Sequence, residues 1–567
     1  MKIKLTSVHI VVLIAVITGV RIFVGLNIPI HLDPTAAFDD LWMVVNSDPE
    51  THFQSQTIHS LVKTMGYPFL LHVGSTLNIS YRLMLCILWI VAAFLVTLFI
   101  RRLTKNALIL MLVYTFVLYS PVAFFTSIGG HIYRNAIITP MVFIVVALLL
   151  LVSHQILFQR KNIKTGFAYS VLLGISFLFF YYIKEDSIWL LPFFVIMLAI
   201  SIISLFMGRE HPVKGKIRIK YLLIAIIPIL ILVGGINTYK AINLHYFGVF
   251  ENNTRTEGAF ADFSSRLFKI SDENKTEFVW LPFSTFEKAW DVSPTLQEHP
   301  EVLEFLRTSA WSHGDMEISP PGGDLALWAF REALLGGELY ESEKQIADVL
   351  KAATAELDEA FQNGTLQKEE GKIYLSKAAR GRTIQEIIQI VPRFKTGFSY
   401  HAFFKDYTVD RIPRETEQSN PDLSGRHDIV EGLINDKLPR PETYYQIETR
   451  LAIGASKLII SIYQILAYIT IPLSIVGLAI VIASAVKRKD GTSRFVVLTM
   501  GMLVLTTLAL MLGVAWFSEW LSDLAIAMYS VGAVATIQLF EIFGILYFVD
   551  WIRRLVCKNE SELSLLL

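Results

Sequence analysis

Long apolar runs alternate with polar segments along most of the chain. A helix needs about 20 mostly apolar residues to cross roughly 30 Å of hydrocarbon. About ten such runs occur, near residues 6–26, 82–100, 107–126, 136–157, 165–183, 187–207, 220–240, 464–486, 495–517 and 526–550. The pattern predicts a mainly α-helical, polytopic membrane protein with about ten transmembrane helices. The first run lacks a small-residue cleavage site, which predicts an uncleaved span rather than a signal peptide.

Basic residues mark every second connection between these runs. Clusters of Arg and Lys follow the second, fourth, sixth, eighth and last runs, whereas the short connections between them lack such clusters. Because cytoplasmic loops carry an excess of Lys and Arg, this alternation predicts cytoplasmic termini and an even number of spans. Residues 27–81, two short turns near residues 130 and 185, and residues 242–450 are then expected outside the cytoplasm.

The polar stretch 242–450 is predicted to be an extracytoplasmic, mainly helical domain. Before Arg450 it contains 35 Asp and Glu against 22 Lys and Arg. The segment 340–364 has apolar residues at helical spacing and ends on Gly, which is typical of a helix with a glycine stop. About 200 residues are enough to bury a core. The pattern of residues 445–463 indicates an amphipathic helix on the membrane surface that leads into the eighth span.

Three parts of the chain follow from this pattern. Residues 1–241 form a transmembrane module whose first outer loop is 27–81. Residues 242–450 form the outer domain, and residues 451–567 form the C-terminal transmembrane helices and a short cytoplasmic tail.

Composition supports this architecture and narrows the function. Of the 567 residues, 53% are hydrophobic and 18% are charged, below the roughly one quarter charged residues of a soluble chain. Acidic and basic residues number 50 each, so no basic excess is available for a nucleic-acid partner. The two cysteines, Cys86 and Cys557, lie in an apolar run and in the tail, which excludes a disulfide framework. Together with the lysine-rich loops, this composition favours a bacterial cell membrane.

Two adjacent carboxylates, Asp39 and Asp40, follow the first apolar run. Asp33 and Pro34 favour a helix start before them. A helical apolar stripe is formed by Phe38, Leu41, Trp42 and Val45. At about 100° per residue, Asp39 lies on the flank of this stripe and Asp40 points away from it. The segment predicts a short helix at the outer membrane interface, where the carboxylates are either a site or a solvated helix face.

Two further polar groups lie on the same predicted side. In the segment 63–80, a turn at Gly66 to Pro68 precedes an interrupted apolar run, which indicates either an interfacial or re-entrant element or an ordinary tethering helix. Arg134, at the outer end of the fourth run, runs against the positive-inside trend. It either snorkels to the interface or holds a phosphate with its guanidinium group. His131 is a candidate ligand or simply a polar surface residue.

The third group consists of Lys184, Glu185 and Asp186, which interrupt an otherwise apolar stretch from Gly166 to Met207. Each charge would cost about 2.5–3.5 kcal/mol at mid-membrane, so the cluster is expected in an outer turn or a polar cavity. Uncharged turn residues would suffice for a plain hairpin, and three charges therefore favour a site. The chain shows no Walker loop, HExxH, zinc spacing, GxSxG or EF-hand pattern.

Taken together, these motifs resemble the GT-C superfamily of membrane glycosyltransferases, which use sugars linked to lipid phosphates. The matching pieces are "FDD" at 38–40, "GYPFL" at 66–70, "IYRN" at 132–135 and "KEDSIWLLP" at 184–192. They occur in the superfamily's order within roughly the first 240 residues. Lys184 stands where arginine is more usual, and lysine binds phosphate as a point charge rather than through a bidentate fork. The outer stretch also resembles one found in uncharacterised bacterial members.

The resemblance implies transfer of a sugar from a polyprenyl-phosphate donor to an extracytoplasmic glycan, lipid or protein, with inversion. Asp39 would be the general base, and Asp40 either faces solvent or assists it. The substrate-binding residues implied are Lys63, Tyr67, His131, Arg134, Lys184, Glu185 and Asp186. Some relatives use a divalent metal, but the sequence provides no ligand set for one. The expected partners are the lipid-linked donor, the acceptor and membrane lipids.

Two other functions fit the same hydropathy pattern. A polymerase or ligase of lipid-linked polysaccharides also has ten or more spans and one large outer loop, but usually carries its key Arg and His in that late loop. A transporter or flippase tends to have paired halves and charges near mid-span. Here the halves differ and the charges cluster at one face, with Glu541 in the last span as the exception, which favours the glycosyltransferase.

Overall fold

The computed structural model describes residues 7–32, 37–54, 56–159, 162–207, 215–410, 426–487 and 490–556. Within these ranges the chain is mainly helical, with isolated β-bridges and no strand. The α-helices up to the long polar stretch are α1 (Ser7–Asn27), α2 (Ala37–Val45), α3 (Pro49–Gln54), α4 (Gly66–Thr76), α5 (Tyr81–Ile100), α6 (Ala107–Leu118), α7 (Asn135–Leu157), α8 (Ile163–Ile183), α9 (Leu191–Met207) and α10 (Gly215–Phe247).

The remaining helices belong to the polar stretch and the C-terminal part. They are α11 (Gly258–Lys269), α12 (Phe283–Val292), α13 (Pro294–Gln297), α14 (Pro300–Arg307), α15 (Leu325–Gly336), α16 (Glu343–Asn363), α17 (Ile384–Ile390), α18 (Phe394–Ala402), α19 (His427–Ile434), α20 (Ile447–Lys487), α21 (Gly491–Ala515), α22 (Asp523–Tyr529) and α23 (Ala533–Val556).

Nine helices in the described ranges are long and apolar enough to cross a membrane, as expected for a multi-pass membrane protein. They are α1, α5, α7, α8, α9 with the 3₁₀ turn before it, α10, α20, α21 and α23. The predicted run 107–126 differs: α6 has 12 residues and is followed by a 3₁₀ turn at Pro121–Ala123. Pro121 explains the break, because the residue before a proline is disfavoured in the α conformation.

The helix α20 is longer than any predicted span. Its 41 residues correspond to a length of about 62 Å at 1.5 Å per residue, roughly twice the hydrocarbon thickness. The helix predicted over 445–463 is present from Ile447 and leads into the eighth span without a break, while its position on the membrane surface stays a prediction. No glycine or proline stop signal stands at the predicted junction, and Pro472 lies well inside the helix.

The helix α7 lies at the centre of the helix assembly. Its whole apolar window is buried, and it packs against α5, α8, α9 and α23. A helix that is apolar on all sides is expected in such a position. The first turn of α7 follows Arg134 directly, so the buried central helix fixes the position of this arginine.

The polar stretch has its own hydrophobic core. Large buried side chains of this core include Trp280, Phe286, Phe330 and Leu350. The predicted glycine-stopped helix is confirmed as α16: the Ser342 side chain accepts a hydrogen bond from the Gln345 N–H at its start. Gly364 follows its last residue with φ +80°, a left-handed conformation that favours glycine.

The loop between α3 and α4 is clamped to this polar stretch. The Thr254 N–H donates to the Leu61 carbonyl at 2.8 Å, and Arg331 donates to the Ile58 carbonyl at 3.2 Å. Ile58 itself is buried in the core of the polar stretch. Residues 56–64 therefore connect two parts of the chain that are far apart in sequence.

The helices predicted at 38–45 and after Gly66 are present as α2 and α4. The predicted helix start at Asp33 and Pro34 lies outside the described residues. Gly66 is required at the start of α4, because a Cβ there would lie 2.4 Å from the Tyr182 carbonyl carbon and oxygen. This close approach places α4 against the end of α8, directly before Lys184.

Candidate functional site

Four separate segments meet at the candidate site: α2, the loop before α4, the turn before α7 and the turn after α8. The turn before α7 is tied to the end of the first span. The His31 N–H donates to the Gly130 carbonyl at 2.9 Å, and the Ile132 N–H donates to the His31 carbonyl at 2.8 Å. This backbone pairing places His131 over the carboxylates of α2.

Asp40 and His131 form a buried pair. The His131 Nε2 and Asp40 Oδ2 atoms are 2.6 Å apart, and both side chains are almost fully buried. The expectation that Asp40 faces solvent is therefore wrong, while a role in assisting Asp39 stays a prediction. The apolar stripe predicted one covered face of α2. The turn before α7, which carries His131, also covers the face that carries Asp40.

Tyr67 lies beneath the same pair. Its hydroxyl is 3.3 Å from the Tyr81 hydroxyl, which donates to the His131 carbonyl at 3.1 Å. Tyr67 is fully buried, so the predicted direct contact with substrate does not fit this geometry. His131 is equally covered. Both side chains support the site from below.

Of the two adjacent carboxylates on α2, Asp39 is the exposed one. Its side chain is 38% exposed and forms an ion pair with the buried Lys63. The Tyr133 hydroxyl donates to Asp39 Oδ2 at 2.7 Å. Burial lowers the pKa of Lys63 well below its ordinary value, and the positive charge of Arg134 lowers it further. The Lys63 ammonium therefore depends on a nearby anion to keep its charge.

Arg134 and Glu185 form the central buried ion pair. Arg134 Nη1 donates to both Glu185 carboxylate oxygens at 2.8 Å, and the Thr64 N–H donates to Glu185 Oε1 at 2.8 Å. Burial raises the pKa of Glu185, but Arg134 and the other neighbours outweigh this effect and lower the pKa to about 2. Glu185 is therefore ionised and holds the guanidinium group in place.

One hydroxyl joins these two pairs. The Tyr133 oxygen accepts a hydrogen bond from Arg134 Nε at 3.1 Å while its O–H donates to Asp39. The candidate base and the buried guanidinium group are therefore connected through a single side chain. Tyr133 was not selected from the sequence, although it lies within the "IYRN" motif.

Lys184 lies on the other side of Arg134. Its Nζ atom is 3.2 Å from Asp186 Oδ2 and 4.8 Å from the ring centre of Tyr529. Lys184 is buried, whereas Asp186 is exposed. Burial lowers the pKa of Lys184, and Asp186 opposes this change. The exposed Asp186 carboxylate is thus the member of this pair that solvent can reach.

A fourth cation, Arg255, comes from the polar stretch. Its Nη2 atom is 2.6 Å from Asp324 Oδ2, and its side chain remains partly exposed. Its charge contributes to the low pKa of Glu185. No local motif marks Arg255, since it follows the long helix α10 in a stretch with no recognised pattern. Only the fold brings it to the other three cations.

The site thus combines four cations with an exposed acidic edge. The cations are Lys63, Arg134, Lys184 and Arg255. Each pairs with a carboxylate, and two of these carboxylates, Asp39 and Asp186, are accessible. Six predicted site residues belong to this ion-pair cluster, namely Asp39, Lys63, Arg134, Lys184, Glu185 and Asp186. Asp40 and His131 form their own buried pair, and Tyr67 is buried next to Tyr81. A phosphate group could replace the accessible carboxylates and satisfy several cations at once.

A metal site does not fit these side chains. No group of three or more His, Cys, Asp or Glu side chains in the described part of the chain is arranged to hold a metal ion. Asp40 is bound to His131, and Asp39 is bound to Lys63 and Tyr133. The described side chains of the site therefore form no ligand set for a divalent metal.

Comparison with protein-family models, with curated proteins and with solved structures finds no match to this chain.

Proposed function

We propose that the protein is a GT-C-type glycosyltransferase, which transfers a sugar from a polyprenyl-phosphate donor to an extracytoplasmic acceptor. One observation carries the proposal: the accessible Asp39 carboxylate lies at the edge of a cluster of buried cations. A transferase of this type needs a base for the acceptor hydroxyl beside positive charge for the leaving phosphate. Both requirements are met within one connected set of side chains.

The proposed orientation is that of a bacterial cell-membrane protein with cytoplasmic termini, in which α6 and the 3₁₀ turn after it supply the tenth crossing beside the nine membrane-length helices. The site lies at the N-terminal end of α7 and the C-terminal end of α8. Lys164, in the first turn of α8, lies at the opposite end of that helix, next to the basic connection from α7. Because basic connections stay in the cytoplasm, the site belongs to the outer face, where a lipid-linked donor presents its phosphate at headgroup level.

In the proposed mechanism, the cations bind the donor phosphate. Lys63 exchanges Asp39 for the phosphate, and Lys184 exchanges the exposed Asp186 in the same way. Arg134 is held in position by Glu185 and adds positive charge. These groups stabilise the negative charge that the phosphate gains as its bond to the sugar breaks.

The same exchange activates the base. Once Lys63 has turned to the phosphate, Asp39 loses a neighbouring positive charge, and its affinity for a proton rises. The acceptor O–H then gives its proton to Asp39 while the oxygen attacks the anomeric carbon from the face opposite the phosphate. The bond between the anomeric carbon and the phosphate oxygen breaks, the polyprenyl phosphate leaves, and the configuration inverts. The Tyr133 hydroxyl keeps Asp39 aligned through this step.

Asp39→Asn tests the proposal. We expect it to lower transfer at least 100-fold, since general-base assistance contributes about 10²–10⁴-fold, while donor binding is retained. The assay follows release of radiolabelled sugar from its polyprenyl phosphate by the full chain in lipid nanodiscs. Asp48→Asn is the matched control, because Asp48 lies in the same loop and accepts hydrogen bonds from the Thr51 side chain and backbone.

Three results would contradict the proposal. Near-normal transfer by the Asp39→Asn variant would exclude Asp39 as the base. Turnover of oligosaccharide-linked lipids but not of monosaccharide-linked lipids would indicate a polymerase or ligase instead. Movement of the donor across the bilayer with its sugar–phosphate bond intact would indicate a transporter.

A further inference from the structure

Two tryptophans of the polar stretch lie near the proposed base. Trp328 belongs to α15, and Trp311 belongs to a 3₁₀ turn at Ala310–Ser312. Their ring centres are 6.4 Å apart and their planes differ by 24°. Trp311 is 40% exposed, whereas Trp280 and Trp290 of the same stretch are buried in its core. Core packing therefore does not account for the position of Trp311.

Trp328 connects this pair to the site. The Lys63 Nζ atom lies 5.7 Å from the Trp328 ring centre and forms the ion pair with Asp39. An imidazole ring holds Trp328 from another side: the His59 ring centre is 5.8 Å away, with planes that differ by 20°. The tryptophan pair is therefore an extension of the catalytic surface beyond Asp39.

Polar groups surround the aromatic pair. His59 Nε2 is 2.7 Å from Glu332 Oε1, and the Glu332 carboxylate is partly exposed. Beside Trp311, the turn continues with the exposed His313 and the partly exposed Asp315. The surface thus presents one exposed aromatic ring with carboxylates and imidazoles at its margin. A lipid chain would favour a continuous apolar surface, which this margin interrupts.

We infer that Trp311 and Trp328 form the acceptor subsite and that the acceptor is a carbohydrate. This inference rests on the proposed function and specifies the substrate class of the same site. A pyranose ring has a C–H face and a rim of hydroxyl groups. The negative face of an indole ring attracts the C–H groups, and the Glu332 carboxylate accepts hydrogen bonds from hydroxyl groups. A sugar ring on this surface directs the next hydroxyl of the glycan toward Asp39.

Variants of Trp311 test the acceptor subsite. We expect Trp311→Ala to weaken binding of a carbohydrate acceptor about 3- to 10-fold, the range for loss of one aromatic stacking contact. Trp311→Phe keeps an aromatic face and should recover most of the binding. Phe398→Ala is the matched control, because Phe398 is also 40% exposed but lies on α18, where its ring packs 6.1 Å from that of Phe403.

Binding is measured on the full chain in nanodiscs with immobilised tetrasaccharides of glucose, mannose, galactose and N-acetylglucosamine. The expected result is retention by the wild-type chain and by the Phe398→Ala variant, with weaker retention by the Trp311→Ala variant. Hydrolysis of the donor by water, without acceptor, should be the same in all three. Selective loss of the acceptor interaction separates substrate binding from a general structural effect.

Failure of this inference differs from failure of the proposed function. No retention of any tetrasaccharide by the wild-type chain, or equal retention by the Trp311→Ala variant, overturns the carbohydrate subsite even if sugar transfer occurs. A product in which the sugar is attached to a protein or a lipid, formed equally well by the Trp311→Ala variant, overturns it too. Absence of donor turnover overturns the proposed function, while tetrasaccharide binding can still be measured without a donor.

Discussion

The buried ion pair of Arg134 and Glu185 is expected to contribute measurably to the stability of the fold. Glu185→Gln keeps the shape of the side chain and removes its charge. Arg134 Nη1 then loses an anionic partner that accepts at 2.8 Å through both oxygens, while the guanidinium group stays buried. The substitution therefore leaves a charge in a covered position with only a neutral partner.

The expected loss of stability follows from the pKa of Glu185. Its shift from 4.5 to about 2 corresponds to about 3 kcal/mol at neutral pH. This agrees with the roughly 3–5 kcal/mol lost when one partner of a buried ion pair is removed. Because the folded state lowers the pKa, the stabilisation is present above pH 4.5 and is lost as the pH falls toward 2.

The free energy of unfolding can be measured by SDS titration of detergent-solubilised protein, followed by tryptophan fluorescence. Combining Arg134→Gln with Glu185→Gln should cost less than the sum of the two single changes, with a coupling energy of about 0.5–3 kcal/mol. Glu304→Gln serves as the control, because its pair with Arg307 is exposed and is expected to contribute less than about 1 kcal/mol. A Glu185→Gln variant as stable as the wild type at pH 7 would refute the assignment.

Two further substitutions test other parts of the fold. Burial raises the pKa of Glu343 to about 7, so the wild-type chain loses stability as the pH rises from 4.5 through 7. Glu343→Gln should be more stable than the wild type at pH 8 by up to about 3 kcal/mol but not at pH 4.5. Thermal unfolding measures this difference, with substitution of the exposed Glu341 by Gln as the control. Equal melting temperatures of Glu343→Gln and the wild type at pH 8 would contradict the prediction. Gly66→Ala should cost about 1–3 kcal/mol, because its Cβ meets the Tyr182 backbone at 2.4 Å. Gly74→Ala on the same helix meets the flexible Met84 side chain at 3.2 Å and the Ile79 carbonyl oxygen at an ordinary contact distance of 3.4 Å, so equal melting temperatures of the two variants would refute the constraint.

Hydrophobic periodicity predicted the helical architecture well, because membrane-length apolar runs and glycine stops are local properties. Nine of the expected spans and the helix α16 follow directly from such runs. Two elements differ from their predicted bounds for reasons that the hydropathy pattern does not show. Pro121 shortens the predicted span at 107–126, and α20 continues through a predicted boundary because no stop signal interrupts it.

Local sequence patterns predicted only part of the candidate site. Helix phasing separated Asp39 from Asp40 but wrongly left Asp40 facing solvent, because a helical wheel cannot indicate which faces later segments will cover. The turn that carries His131 covers Asp40. Arg255 and Trp328 reach the site only through the packing of the polar stretch, and neither lies in a recognisable motif. Charged residues in short turns between apolar runs were the sequence signal that found site residues such as Glu185.

The clamp between residues 56–64 and the polar stretch limits how this chain can be divided or recombined. Thr254 and Arg331 bind the backbone of the loop that also carries Lys63. An exchange of residues 242–450 for the corresponding segment of another chain would separate Lys63 from the side chains that hold its loop. The loop and the polar stretch therefore have to be inherited, swapped or redesigned as one unit, although almost 200 residues separate them in the sequence.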